Sequence, residues 1–328
     1  MTTTDIDIDS DSDLELRALL RDPALGARRM EAAAERAFHG GPDAFARYHR
    51  ALYELHDRDE RDTDTARRAI ARAGYRCEER LIPRVELPVA LSETALAEAI
   101  DRQVLSGGRG QHPMIRHLFD DQMTADEVRL FLRHQWFRTY RLYQDATDLA
   151  VGLAYDIEGA ALMARYLHQE MGEDDPAGAH VTLLANLLRE LDVPCDLGAR
   201  STLLEEMVYL NNRRRSFRSP DVGWAFAIFY VTELVVSASH QHLYRVMRDV
   251  GVSERGAEYY RVHIAMVPPR AKREWALFWR FLQHREMQET FLTSLRHHLE
   301  IERRYFDAVW RVMQELPRYG TARAGGLR

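Results

Sequence analysis

"DVGWAFAIFYVTELVVSASH", Asp221 to His240, decides the fold class. Its apolar residues Trp224, Ile228, Val231, Leu234, Val235 and Ala238 recur at intervals of three and four, which lines them along one side of a helix. No segment of the chain alternates with the two-residue period of a strand. An all-α protein of packed antiparallel helices follows, because a helix with a wide apolar stripe must bury it against others of its kind. The same stretch poses the functional question, since Glu233 is the only charged residue between Asp221 and His240. A carboxylate surrounded by aliphatic side chains needs a metal or a cationic partner.

Working outward, helix boundaries are legible from Gly110 onward. Thr124 followed by Glu127 forms a capping box for a helix expected to reach Tyr155. Asp156 caps a helix from Ile157 to Met171 that stops at Gly172, and Asp175 with Pro176 opens the next. Ser253 and Glu254 begin another, which should break at the Pro268–Pro269 pair, with a last helix from about Pro269 towards Met313. Upstream, Leu14 to Ile100 is rich in Ala, Arg and Glu with short helical patterns. The expected organisation is an acidic disordered leader over 1–13, a helical extension over 14–100, a helical domain over 101–316 and a flexible tail over 317–328.

Bulk properties exclude several classes. The formal charge is −6, against a nucleic-acid partner, and "NNRRRSFR" (Asn211 to Arg218) reads as a solvated loop. No apolar run approaches the length of a bilayer span, and the first residues lack a signal-peptide pattern, so a cytoplasmic protein without membrane contact is expected. The only two cysteines, Cys77 and Cys195, form no metal-binding or disulfide pattern, and the single lysine, Lys272, lies in an exposed-looking charged run. Tyr- and Phe-bearing faces on long helices are compatible with a homodimer.

Carboxylates and imidazoles on apolar faces are the candidates for chemistry. Glu170 ends one helix and His180 begins the next element but for a Gly/Asp/Pro turn, "EMGEDDPAGAH", so a hairpin can bring the two together. Carboxylate with imidazole suits iron, manganese or zinc, although a surface turn with a helix-end acid fits the pattern equally. Glu233 needs a partner that is either a metal or an arginine. His240, seven residues on, is displaced by about 10 Å along the axis and cannot share one ion with it. His263, in "EYYRVHIAMV", would not stand out alone. "LRHHLEIERRYFD" (Leu295 to Asp307) contains His297 and Glu300 one turn apart, but its charge density marks a solvated face.

A carboxylate, a histidine ten residues on, a glutamate within an apolar helix and a histidine thirty residues later resemble the haem-oxygenase-like diiron oxidases and oxygenases, a family described as iron-containing redox enzymes. "HPMIRHLFDDQMTADEVRLFLRHQWFRTYRLY" (His112 to Tyr143) looks like its first core helix and approach, and the resemblance runs from about Gly110 to Gln314. It implies a seven-helix haem-oxygenase-like bundle without haem, with an N-terminal helical extension. It further implies Glu170, His180, Glu233 and His263 as metal ligands, and oxidation of a small amine, amino acid or related metabolite by dioxygen in specialised metabolism.

The departures are specific. Where the family carries a further carboxylate on the first core helix this chain has Gln144, with Asp145 and Asp148 nearby, and where it carries Asp and His after the last ligand this chain has Val267 and Arg270. Valine cannot ligate, and the guanidinium of Arg270 repels a cation but can neutralise Glu170 or Glu233. One iron rather than two is therefore expected, with Tyr140, Gln144 and Arg270 as the candidates for catalytic roles. A metal-free alternative, a cofactorless oxidase or a non-enzymatic binding scaffold, would draw on His134, Arg138, Tyr140, Arg141 and Tyr143 of the first core helix. A thiaminase-type site is disfavoured because Cys195 lies in a turn, and haem oxygenase activity because only His134 could serve as an axial ligand.

Overall fold

The computed structural model describes residues 19–57, 65–106, 111–120, 123–196 and 201–316, and the expected leader and tail lie outside them. No strand occurs among the described residues. Three helices come first: α1 (Pro23–His39), opened by the Asp22 side chain accepting from Leu25 N, α2 (Pro42–Asp57) and α3 (Thr65–Leu81). They share a small core of Met30, Ala34, Tyr48, Leu52, Ile70 and Tyr75. The chain then runs along the last helix of the protein, with Val85 N donating to Thr293 Oγ1 (2.8 Å) and Leu91 N to Gln288 Oε1 (2.7 Å). Next comes α4 (Glu93–Asp101), whose Leu96 and Ile100 pack into the main bundle although the expected junction falls at residue 100.

The bundle continues with α5 (Pro113–Phe119), α6 (Ala125–Thr139), α7 (Leu142–Gly152), α8 (Ile157–Glu170), α9 (His180–Glu190), α10 (Leu204–Arg218), α11 (Gly223–Asp249), α12 (Glu258–Phe281) and α13 (Arg285–Gln314). Two apolar clusters form inside it. One gathers Val128, Leu132, Leu184, Leu187, Tyr260 and Tyr305; the other gathers Leu149, Met163, Phe226, Phe229, Phe278 and Phe291. Polar residues lie between them.

Three expectations are corrected. The Thr124 capping box is present, but the helix it opens stops at Thr139 instead of reaching Tyr155. The Arg213 guanidinium donates to the carbonyl of Arg138, the acceptor that a continuing helix would use four residues later. Second, α12 runs through Pro268 and Pro269 to Phe281 and the interruption falls at residues 282–284. A mid-helix proline costs about 3 kcal/mol; the buried ion pairs of Arg270 and the packing of Phe278 hold the distal half of the rod in line.

The third correction concerns the arginine run. Asn211 to Phe217 belong to α10 and are buried, not solvated. This helix is flanked by α2, α7, α11 and α13, so its charges are met by fixed partners. Arg213 Nε donates to Asp145 (2.5 Å), Arg215 Nη2 to Asn212 Oδ1 (2.7 Å), and Arg215 also faces Glu78 at 3.4 Å while stacking over Trp224 at 4.5 Å. Net charge along a sequence does not reveal such pairing, because each acid comes from a distant helix.

Candidate metal centre

The site begins at a turn that only glycine can make. Glu170 closes α8, and Gly172 follows with φ +83°. A β-carbon there would lie 2.2 Å from the Asp175 carbonyl oxygen and 2.4 Å from Ala179 N, so the chain folds back on itself at the glycine. Asp175 Oδ1 then accepts from Ala177 N (2.9 Å) to cap a 3₁₀ turn, Pro176–Gly178. His180 is therefore the first residue of α9, and its imidazole sits against Glu170, Nδ1 to Oε2 2.7 Å.

Opposite this hairpin, α12 presents His263. Its Nδ1 lies 2.6 Å from the carbonyl oxygen of Tyr259, one turn earlier. A carbonyl can only accept, so Nδ1 carries the proton and Nε2 keeps its lone pair for a ligand. The His263 and His180 rings are 4.3 Å apart. One donor atom each from Glu170, His180 and His263 lies within 4.8 Å of the others, the sole such group of three among the described residues. A metal bonding at about 2.1 Å holds its ligands on the order of 3 to 4 Å from one another, so side-chain rotation suffices to close the set.

Glu233 goes elsewhere. It is buried, and both of its oxygens accept from Arg270: Nη2 to Oε1 (2.8 Å) and Oε2 (2.7 Å), and Nε to Oε2 (2.9 Å). Arg270 Nη1 reaches Glu170 Oε1 at 2.8 Å, and the guanidinium lies over the Tyr166 ring at 4.6 Å. Of the four expected ligands, three converge and the fourth is held by the residue expected to break the pattern. The unbroken helix explains this, because Arg270 follows His263 by seven residues and so shares its face.

The electrostatics follow from burial. Desolvation would raise Glu170, but His180 and then Arg270 beside it hold its carboxyl well below the usual carboxylate range. Burial raises Glu233, and the guanidinium opposes that rise. Glu274, one turn beyond Arg270 and fully buried with neither oxygen hydrogen-bonded, is pushed up to about 9 by desolvation and by Glu233, and is protonated at neutral pH. Burial, with His180 adding to it, takes His263 down to about 3, which keeps the imidazole neutral and able to ligate.

A cavity of about 140 Å³ adjoins the group. Glu170, Glu233, His263 and Arg270 line it, as do Gln135, Arg138, Thr139 and Tyr259, with Leu118, Phe131, Ile228, Phe229 and Phe306 supplying apolar wall. Of the first-core-helix candidates only Arg138 reaches this lining. Tyr140 is buried, stacked on Trp136 at 5.3 Å, and Gln144 is partly buried away from the cavity. Asp145 and Asp148 are taken by Arg213 and Arg218, His134 faces Glu206 at 3.3 Å, and Tyr143 is exposed. Sequence reasoning missed His240, whose ring lies 4.7 Å from that of His263, and Glu274. Periodicity offered the only signal: Glu274 follows Arg270 by four, and His240 was dismissed as a co-ligand of Glu233, which it is not near enough to be.

A family model described as iron-containing redox enzyme matches residues 129–314, more than half of the chain, and one described as haem-oxygenase-associated N-terminal helices matches residues 10–81. The chain belongs to the iron-containing redox enzyme family. Among curated proteins none matches it. The family's iron fits the residues of this member. Glu170, His180 and His263 offer one carboxylate oxygen and two imidazole nitrogens, a donor set that iron favours. His180 Nδ1 is buried and, despite its closeness to Glu170, has no hydrogen bond of acceptable geometry, as expected of a nitrogen aimed at a third body. A second ion does not fit beside it: the outer oxygen of Glu170 and both oxygens of Glu233 face a permanent cation. In this iron-containing redox enzyme no described helix is long and apolar enough to cross a membrane.

Proposed function

We propose that this protein is a non-haem iron oxidoreductase that uses dioxygen on a small amine, amino acid or related metabolite, with a single iron held by Glu170, His180 and His263. The observation that carries the reading is the convergence of those three donors beside a cavity. Iron on two imidazoles and one carboxylate, with further positions open, supplies the redox chemistry of non-haem oxygenases. The remaining work falls to the chain. Tyr259, through its carbonyl, fixes the ring of His263 so that Nε2 points inward. Arg270 clamps the outer oxygen of Glu170, which orients the inner one, and its charge replaces that of a second ion. The apolar wall excludes bulk water from a substrate bound there.

The test is metal content after anaerobic iron loading, followed by dioxygen consumption across a panel of amines and amino acids. Near one iron per chain, lost in His180→Ala and in His263→Ala, is expected. Two irons per chain would overturn the single-ion reading. No bound iron in a folded protein would overturn the redox assignment and leave the metal-free alternative.

A further inference from the structure

Three arginines line the cavity beside the candidate metal centre, and two of them are occupied. Arg270 holds Glu170 and Glu233, and Arg213 holds Asp145. Arg138 differs. Among the described residues its side chain donates no hydrogen bond and meets no carboxylate at ion-pairing distance, and its Nε is fully buried without an acceptor. What it does have is aromatic: its Cζ stands 5.0 Å from the Tyr305 ring centroid and 5.9 Å from that of Tyr209.

This arrangement treats the two aspects of a guanidinium differently. The rings take the face of the cation, where no hydrogen bond is possible. The N–H donors project from the edge, in the plane, as a fork. A buried fork without an acceptor is costly unless a ligand completes it. Glu302 and Glu206 are near enough to favour the charged state, but Glu206 is bonded to Ser201 and His134, and Glu302 has a partner of its own.

We propose that Arg138 is the specificity-determining residue of this cavity, and that it takes a small monocarboxylic acid with an apolar body, held by its carboxylate on the guanidinium edge. Planar carboxylate matches the planar fork with two parallel hydrogen bonds. The wall of Leu118, Phe131, Leu142, Ile228, Phe229 and Phe306 covers an aliphatic chain. An alkylammonium would meet three arginines in a small space and be repelled. The inference rests on the proposed function in that it treats the cavity as the substrate site, and it narrows the substrate from amines and amino acids to acids.

Pentanoate, pentylamine and 1-pentanol serve as probes, titrated calorimetrically into the full chain with chelator present, so that no metal contributes. One pentanoate per chain should bind in preference to both analogues; Arg138→Gln should weaken it at least tenfold, and Arg138→Lys should recover part of the loss. Absence of pentanoate binding to the native chain, equal binding by Arg138→Gln, or tighter binding of pentylamine would each overturn the proposal. Should Arg138→Gln fail to fold, phenylglyoxal labelling of the native chain replaces it: pentanoate, and not 1-pentanol, should slow modification of the peptide bearing Arg138. Equal labelling rates would overturn the proposal. Iron binding is scored separately, so pentanoate bound by a chain that takes no iron upholds this inference while removing the redox reading.

Discussion

Replacing Arg270 with methionine removes the cation of the site while keeping much of its volume. Three oxygens lose their donor: Oε1 of Glu170 and both of Glu233, with bonds of 2.7 to 2.9 Å. Removing one partner of a buried ion pair costs about 3 to 5 kcal/mol, because the other charge is left uncompensated. For a bundle of this size about 1 kcal/mol corresponds to roughly 2 to 4 °C, so the thermal midpoint should fall by about 6 to 20 °C. Divalent metal should then act as the missing cation. Glu170, Glu233 and Glu274 would face one another with no arginine between them, and a metal at about a hundred times its Kd returns roughly 2.7 kcal/mol. The assay is differential scanning fluorimetry of native and Arg270→Met chains, with and without Mn(II) under anaerobic conditions, beside metal analysis. The variant should melt low without metal, recover with it and bind one ion more than the native chain. A variant that melts within 2 °C of the native chain and ignores metal would refute the assignment of Arg270 as the stand-in cation.

Gly172→Ala should destabilise the chain by about 1 to 3 kcal/mol, from the strained backbone and the clash with Asp175 and Ala179. It should also weaken iron binding by moving Glu170 relative to His180; unchanged iron affinity would show that the turn does not set the site. Acid stability is expected to depend on His49, held down to about 3 by burial and by Arg215. The unfolded imidazole takes its proton near pH 6.5 and the folded one does not. This contribution is thus present above pH 6.5 and is lost towards pH 3 at about 1.4 kcal/mol per pH unit. In urea titrations between pH 6 and 4, His49→Gln should flatten the pH dependence by about that slope, and an unaltered slope would contradict a buried neutral His49.

What could be read from the residues is what local chemistry decides. The Thr124 capping box, the stop at Gly172 and the pairing of Glu170 with His180 all close within a few residues, so the text and the structure agree there. The all-α class and the family were legible as well, from the period of 221–240 and the spacing of acids and imidazoles. Glu233 marks the limit. Its apolar setting called for a cation, but whether that cation is an ion or a guanidinium depends on a residue 37 positions away on a helix that crosses two prolines. Pro268 and Pro269 argue locally for a break, and tertiary contacts override them. The arginines of α10 were misread for the same reason, their counter-ions being separated from them by 68 and 137 positions.

That last distance binds the two matched segments together. Glu78 sits on α3, inside the N-terminal helices, and Arg215 sits in the middle of the bundle with none of its side chain exposed. A fragment starting at α4 would strand a guanidinium in a dry interior, and the isolated first three helices would strand an acid on theirs. Recombination that shuffles one segment without the other therefore yields chains with a naked charge at the joint, so the pair is inherited as a unit.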